Sequence, residues 1–326
     1  MKIRWICLLL ASLLLLTACG AKNTEEESLI RVGFSQVGSE SDWRIANTAS
    51  MVQALSEANG FELLFDNAKQ RQENQLLAIR NFIQQDVDYI VLAPITESGW
   101  DDVLQEAKNA GIPVLIVDRQ IAVADESLYT SWVGSDFMAE GQRAVRWLEE
   151  TLQTQGREES PLRILHIQGT YGATAQLLRT QALLDAVDAH PSWEIVAQLP
   201  GEYTEAKSYE LMRSFLQTGQ KIDVIYSEND NMSFGAIQAL EEAGITCGGE
   251  DGVMIISFDA VRRALELCRE GKISLCVECN PLHGPRVEAL LWQLEQGEKL
   301  PKQTFVDEIA FDRTMLTEDV IREREY

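Results

Sequence analysis

Tyr89-Ile90-Val91-Leu92-Ala93 and Val114-Leu115-Ile116-Val117 are two short, unbroken apolar runs, with Gly111 between them. A half-exposed strand alternates apolar and polar residues, because successive side chains point to opposite faces. Unbroken Val, Ile and Leu instead mark strands buried on both faces, the condition of a parallel sheet covered by helices on each side. The segment joining the two runs reads as a helix to Ala110, stopped by Gly111 where a left-handed cap is expected.

The same rhythm extends in both directions. Ile30–Ser35 reads as a strand and Trp43–Asn59 as a helix closed by Gly60; Phe61–Phe65 is a second strand, and Leu76, Ile79 and Ile83 share one helical face. Thr130–Val133 is a fifth strand. After the polar stretch Gln153–Ser160 a second round follows, with strands at Arg163–Ile167, Glu194–Leu199, Val224–Tyr226, Val253–Ser257 and Ser274–Val277 and a helix at Ser233–Ala243 ended by Gly244. The expectation is an α/β chain of two doubly wound parallel-sheet lobes joined by a hinge, with a crevice between them. Residues 29–136 plus 279–304 would form the N-terminal lobe, and 137–278 plus 305–326 the C-terminal lobe. The crossovers would fall near Ser135–Asp136, Val277–Asn280 and Thr304–Phe305.

The first residues read as an export signal. Lys2 and Arg4 precede a nearly pure apolar run from Trp5 to Leu16, which is shorter than the roughly 20 residues a spanning helix needs. Leu16-Thr17-Ala18-Cys19 resembles the bacterial lipobox, where cleavage leaves the cysteine as the lipidated first residue. Residues 1–18 are therefore expected to be a lipoprotein signal, and the polar, acidic 19–28 a tether lifting the domain off the extracytoplasmic face of the cell membrane. The net charge of −23 opposes nucleic-acid binding, which needs a basic footprint.

Cys247, Cys268, Cys276 and Cys279 remain after Cys7 and Cys19. Cys276 and Cys279 sit three apart in Ile273–Asn280, which reads as extended throughout, so they point to opposite faces and cannot bridge to each other. No second C-x-x-C or His pair completes a metal site, and buried structural thiols are the reading. Export permits a disulfide between two of the four, with the pair left open.

In open parallel sheets ligands bind beyond the carboxyl ends of the strands. Glu40-Ser41-Asp42-Trp43-Arg44 follows the first strand and Asp118-Arg119 the fourth. Gln168-Gly169-Thr170 follows the sixth, with Arg179 on the next helix; Glu228-Asn229-Asp230, Asp259 and Glu278 to Asn280 end later ones. Carboxylates, amides and guanidinium groups grip adjacent hydroxyls in pairs, and an aromatic such as Trp43 covers the C–H face of a ring, so the set suits a sugar. Asp118 and Arg119 are expected to balance each other's charge when the crevice closes. No G-x-G-x-x-G, phosphate loop or G-x-S-x-G elbow is present. His166, His190 and His283 read as core or surface histidines, and Asp101–Asp102 and Glu149–Glu150 as solvated helix faces. No catalytic residue, cofactor or metal is expected; a glycosidase using two carboxylates across the crevice is the enzymatic alternative.

Val32-Gly33-Phe34-Ser35-Gln36-Val37-Gly38-Ser39-Glu40-Ser41, Trp43-Arg44, Gln72-Glu73-Asn74-Gln75, Asp118-Arg119 and Ser257-Phe258-Asp259 together resemble the galactofuranose-binding proteins of bacterial ABC importers. More broadly, they resemble the ribose/galactose-binding group of type I periplasmic binding proteins. The resemblance runs from about Ile30 to the C-terminus. It implies a monosaccharide ligand, galactofuranose first, captured by hinge closure, and delivery to ABC permease subunits by a monomer. It places ligand contacts on Glu40, Ser41, Asp42, Trp43, Arg44, Asp118, Arg119, Arg179, Asn229 and Asp259, with Asn280 added by its hinge position. Asp42 stands where a small residue is usual. The alternative role is a sugar-sensing lipoprotein presenting its ligand to a membrane receptor kinase or chemoreceptor. A sugar-responsive repressor would need a helix-turn-helix where the export signal stands.

Overall fold

The computed structural model describes residues 28–249 and 252–326; the expected signal, Cys19 and nearly all of the tether lie outside the described residues. The first sheet takes β1 (Ile30–Gln36), β2 (Phe61–Asn67), β3 (Tyr89–Leu92), β4 (Val114–Val117) and β5 (Ser131–Gly134), with α1 (Asp42–Ala54), α2 (Gln72–Gln84) and α3 (Asp101–Asn109) on its connections. From late in the chain come α9 (Gly284–Glu295) and β11 (Gln303–Phe305). The strand order is β11-β5-β4-β3-β1-β2, and every pairing in it is parallel. The second sheet takes β6 (Leu162–Gln168), β7 (Trp193–Pro200), β8 (Val224–Ser227), β9 (Met254–Asp259), β10 (Leu275–Glu278) and β12 (Ala310–Asp312), in the order β12-β10-β9-β8-β6-β7. Its pairings are parallel except for β12 against β10. Around it lie α4 (Phe137–Thr154), α5 (Thr174–Ala189), α6 (Glu205–Leu216), α7 (Asp230–Glu242) and α8 (Arg262–Glu270), with α10 (Glu318–Glu323) at the end of the chain.

The apolar runs do what their composition demands. Val91, Leu115 and Val117 enter one apolar cluster, while Ile90, Leu92, Val114 and Ile116 enter another on the opposite side of the sheet. Both faces are dry, so a polar residue has no place in these strands.

Four details differ from the sequence reading. The helix expected over Trp43–Asn59 stops at Ala54. The Asn59 amide donates to the carbonyl of Ala54 at 2.9 Å, and a 3₁₀ turn at Glu57–Asn59 leads to Gly60 at φ 91°. The polar Gln153–Ser160 does not divide the lobes, because α4 runs into it and the chain has already crossed before Phe137. β11 and β12 were not read as strands. The third crossover falls at 306–309 rather than at Thr304–Phe305, since Phe305 still pairs with Gly134 in the first sheet.

Helices α4 and α5 meet closely at Gly141, where an added Cβ would lie 2.5 Å from the Cβ of Ala182 and 3.2 Å from the Tyr226 hydroxyl. Gly141→Ala improves helix propensity yet overpacks this contact. It is expected to cost about 1–3 kcal/mol, measured as a lower denaturant midpoint with unchanged m value.

Candidate ligand-binding cleft

Both sheets direct their strand carboxyl ends into one cleft, and the segments after β1, β4, β5, β6, β7, β8 and β10, with the end of β9, supply its walls. Glu40, Ser41, Trp43, Arg44, Asp118 and Arg119 face Phe137, Ala175, Arg179, Tyr203, Asn229 and Asp259, with Cys279 at the hinge. The structure therefore gathers nine of the expected ligand residues around one cavity. Asp42 and Asn280 do not line it. Asp42 opens α1 with an exposed side chain, and its backbone N–H donates to the Asn231 side chain at 3.0 Å. The Asn280 side chain turns back to accept from the Leu282 N–H at 2.9 Å.

In the first lobe Ser41 caps α1 by accepting from the Arg44 N–H. That start aims Arg44 at the cavity, where its guanidinium donates to Glu40 at 3.1 Å, to the Gln36 side-chain oxygen at 3.2 Å and to Asp118 at 2.7 Å. Asp118 adopts φ 65°, the left-handed turn that lets its carboxylate fold back toward Arg44. Burial pulls the Arg44 pKa down and the Asp118 pKa up. Their mutual attraction overcomes both, leaving Arg44 raised and Asp118 lowered, with Arg119 adding to the latter. Arg119 is not the main partner of Asp118, as the sequence reading had it. It lies 4.0 Å from that carboxylate, donates to the Ile95 carbonyl at 2.8 Å, and reaches across the cleft over the Tyr203 ring.

The second lobe mirrors this arrangement. Arg179 of α5 binds Glu140 of α4 at 2.7 Å, donates to the Glu228 carbonyl at 2.6 Å, and lies 3.9 Å from Asp259. The rings of Phe137 and Phe258 flank it. Behind it, Glu228 accepts from Thr180 and from the Gly169 N–H and meets His166 at 2.9 Å, so His166 is a fully buried member of this network. Asn229 caps α7 and leans on the Tyr203 carbonyl. Asp259 sits at φ 108°, a costly conformation outside turns. Burial, with Asp230 beside it, holds its carboxyl well above the usual range.

Each arginine is neutralised inside its own lobe, so the lobes can part without stranding a charge. Among the described residues, polar contacts across the cleft are few: the Asp42 N–H on Asn231, the Gln120 N–H on the Thr174 hydroxyl at 3.0 Å with that hydroxyl donating in turn to the Gln120 carbonyl, the Glu97 N–H on the Gly172 carbonyl at 3.0 Å, and Arg119 over Tyr203. Trp43, in the first turn of α1, also reaches across and packs in the apolar cluster of the second lobe. Its indole N–H donates to the Cys279 carbonyl at 2.7 Å, and the Arg44 guanidinium covers part of its ring.

Three buried polar atoms in the wall have no partner among the described residues: Glu40 Oε2, the Tyr203 hydroxyl and Asp259 Oδ2. Such orphans are rare and costly in a folded interior. Three around one cavity define acceptors and a donor placed for a hydroxylated guest. The sequence reading missed Phe137, Ala175 and Tyr203. Tyr203 follows the end of β7, where the strand-end rule points, and Gly169 makes room for it: a Cβ there would stand 1.9 Å from the ring. Cys276 and Cys279 are both buried, and all four described cysteines are free; Cys279, just past β10, is part of the wall.

One group of acidic and thiol side chains among the described residues comes within 4.8 Å of one another: Glu140, Cys279 and Glu308. No imidazole joins them, Arg179 already sits on Glu140, and burial raises the pKa of all three. Raised pKa values oppose the anionic forms that a cation would need.

The chain belongs to the periplasmic binding protein family, whose binding-protein domain pattern matches residues 32–297. It is similar to the galactofuranose-binding protein YtfQ of Escherichia coli (strain K12), with 38% identity over 279 residues, 84% of this chain and 85% of that one. Among solved structures it is similar to a Mycobacterium smegmatis protein in complex with β-D-fucofuranose, at TM-score 0.82 and 38% identity, covering 87% of this chain and 92% of that one. It is also similar to the periplasmic binding component of the arabinose ABC transporter of Shewanella sp. ANA-3, bound to α- and β-L-arabinofuranose. There the TM-score is 0.83 and the identity 38%, over 90% of this chain and 95% of that one.

Arg44→Met would leave Glu40 buried without a cation and Asp118 with only Arg119, at 4.0 Å. It is expected to cost about 3–5 kcal/mol of stability. Adding Asp118→Asn to it should return part of the loss, and a double-mutant cycle by urea unfolding checks the coupling.

Proposed function

We propose that this chain is the substrate-binding lipoprotein of an ABC-type sugar importer. It captures a monosaccharide in its furanose form, galactofuranose foremost, by closing two lobes that join at 136, 279 and 306–309. It acts as a monomer, held to the extracytoplasmic face of the membrane through Cys19, and passes its ligand to permease subunits. The observation that carries the reading is the pairing of two charge-balanced arginines with three unpartnered buried polar atoms around one cavity. A ring hydroxyl both donates and accepts, so it satisfies Glu40 by donating, Tyr203 by accepting, and the Asp259 carboxyl by either. The solved relatives whose ligands are furanoses, at 38% identity, support the ring form. Ligand and lobe closure are then coupled, because only a guest touching both walls joins lobes that otherwise share few polar contacts.

Catalysis is not part of this reading. The solute-binding relatives support it, although Glu40 and Asp259 bring free carboxyl oxygens to facing walls, the arrangement a glycoside hydrolase would use. Incubation with galactofuranosides and arabinofuranosides is expected to release no free sugar, and turnover would overturn this part.

Calorimetry with galactose, arabinose and fucose preparations enriched in furanose is expected to show one-site binding. Trp43→Ala should weaken it by roughly 1–3 kcal/mol, and no heat with any furanose would contradict the ligand class. Mass spectrometry of the membrane-extracted protein should find diacylglyceryl mass on a peptide beginning at Cys19.

A further inference from the structure

All three crossovers meet at one point behind the sugar cavity. Ser135 is on the first, Cys279 and Asn280 on the second, and Glu308 on the third. The Ser135 hydroxyl donates to Glu308 Oε1 at 2.6 Å and lies 3.3 Å from the Cys279 sulfur, while the Asn280 N–H donates to the same Glu308 oxygen at 2.7 Å. Glu140 approaches from the first turn of α4 with Oε2 on Arg179. Its other oxygen is fully buried and has no partner among the described residues. Two carboxyl groups this close, with one guanidinium between them and the cavity, cannot both be ionised cheaply. A proton retained on the pair, whose oxygens lie within 4.8 Å of one another and of the Cys279 sulfur, removes that repulsion.

We propose that Glu308 is a positioning residue for ligand capture: it holds a proton shared with Glu140, which keeps Glu140 and Arg179 in position and pins the three crossovers together. The inference rests on the ligand role assigned above to Arg179. Burial, and then the Glu140 charge, push the Glu308 carboxyl up to about 9, with Ser135, Asn280 and Arg179 working against them. The other ionisable groups around Glu308 are Cys279, Glu278, whose carboxylate takes the Ile309 N–H, and Arg143, Arg146, Glu150 and Asp312 along the outer cleft.

The native chain thus retains a proton that the unfolded chain releases near the ordinary value of 4.5. The stabilisation from this proton is complete below that pH and is lost as the pH climbs to about 9. Above that, the two carboxylates repel, the contact that pins the crossovers loosens, Glu140 and Arg179 shift from their positions, and the closed form weakens.

The test compares the wild type with Glu308→Gln. The amide oxygen can accept from Ser135 and Asn280, and the side chain stays neutral beside Glu140 at every pH. Without sugar, the melting temperature of the wild type is expected to fall relative to that of the variant between about pH 5 and pH 9; parallel curves would overturn the shared proton. With L-arabinose or a galactofuranose preparation as probe, the wild-type Kd should rise between about pH 8 and pH 10, by up to about tenfold per unit. The Kd of Glu308→Gln should stay flat. Equal pH profiles for the two would overturn the positioning role. A widening gap in melting temperature without any sugar binding would instead overturn the ligand reading and leave the shared proton standing. If Glu308→Gln does not fold, ¹³C resonances of glutamate carboxyls in the wild type decide: one titrating near pH 9 supports the proposal, and none above about pH 6 overturns it.

Discussion

Two arginines, Arg44 and Arg179, are buried in facing walls of one cleft, and the arrangement of the protein follows from how their charge is met. A guanidinium taken out of water is tolerable only beside carboxylates in good geometry. Glu40 and Asp118 meet the first, and Glu140 meets the second. Both solutions are local to a lobe. That locality lets the halves of the molecule separate with each arginine still paired, and it leaves the unsatisfied hydrogen-bonding capacity on Glu40, Tyr203 and Asp259, which face one cavity. Strain sits at the same place: Asp118 and Asp259 adopt left-handed conformations at the ends of β4 and β9, where both sheets point their carboxylates inward.

Much of the fold was legible because burial on both sides of a parallel sheet leaves a coarse mark. The runs at Tyr89–Leu92 and Val114–Val117 admit no other common arrangement, and the strands of the second round were found within a residue or two of their ends. β11 and β12 escaped because each is three residues long on a sheet edge, too short for any period to show. The third crossover was misplaced for the same reason.

The cavity was legible through one topological rule: residues just beyond strand ends converge. That rule reached Glu40, Arg44, Asp118, Asn229 and Asp259 without any knowledge of contacts. It could not tell which charge meets which. Asp118 and Arg119 are adjacent in the chain, so they looked like partners, yet neighbouring side chains diverge and the partner of Asp118 comes from Arg44, 74 positions away. Nor could it show that the Asn280 side chain turns toward its own backbone, or that Glu140, an acid in an ordinary amphipathic helix, supports Arg179 from behind. Those facts depend on packing between helices and have no local signature.

The central claim is that a sugar joins two lobes that otherwise share few polar contacts. Small-angle X-ray scattering, with and without a saturating furanose sugar whose binding calorimetry has established, tests it most directly. The account predicts a smaller radius of gyration with sugar, and a profile for the sugar-bound protein that matches the closed structure. Identical profiles in the two states would contradict it.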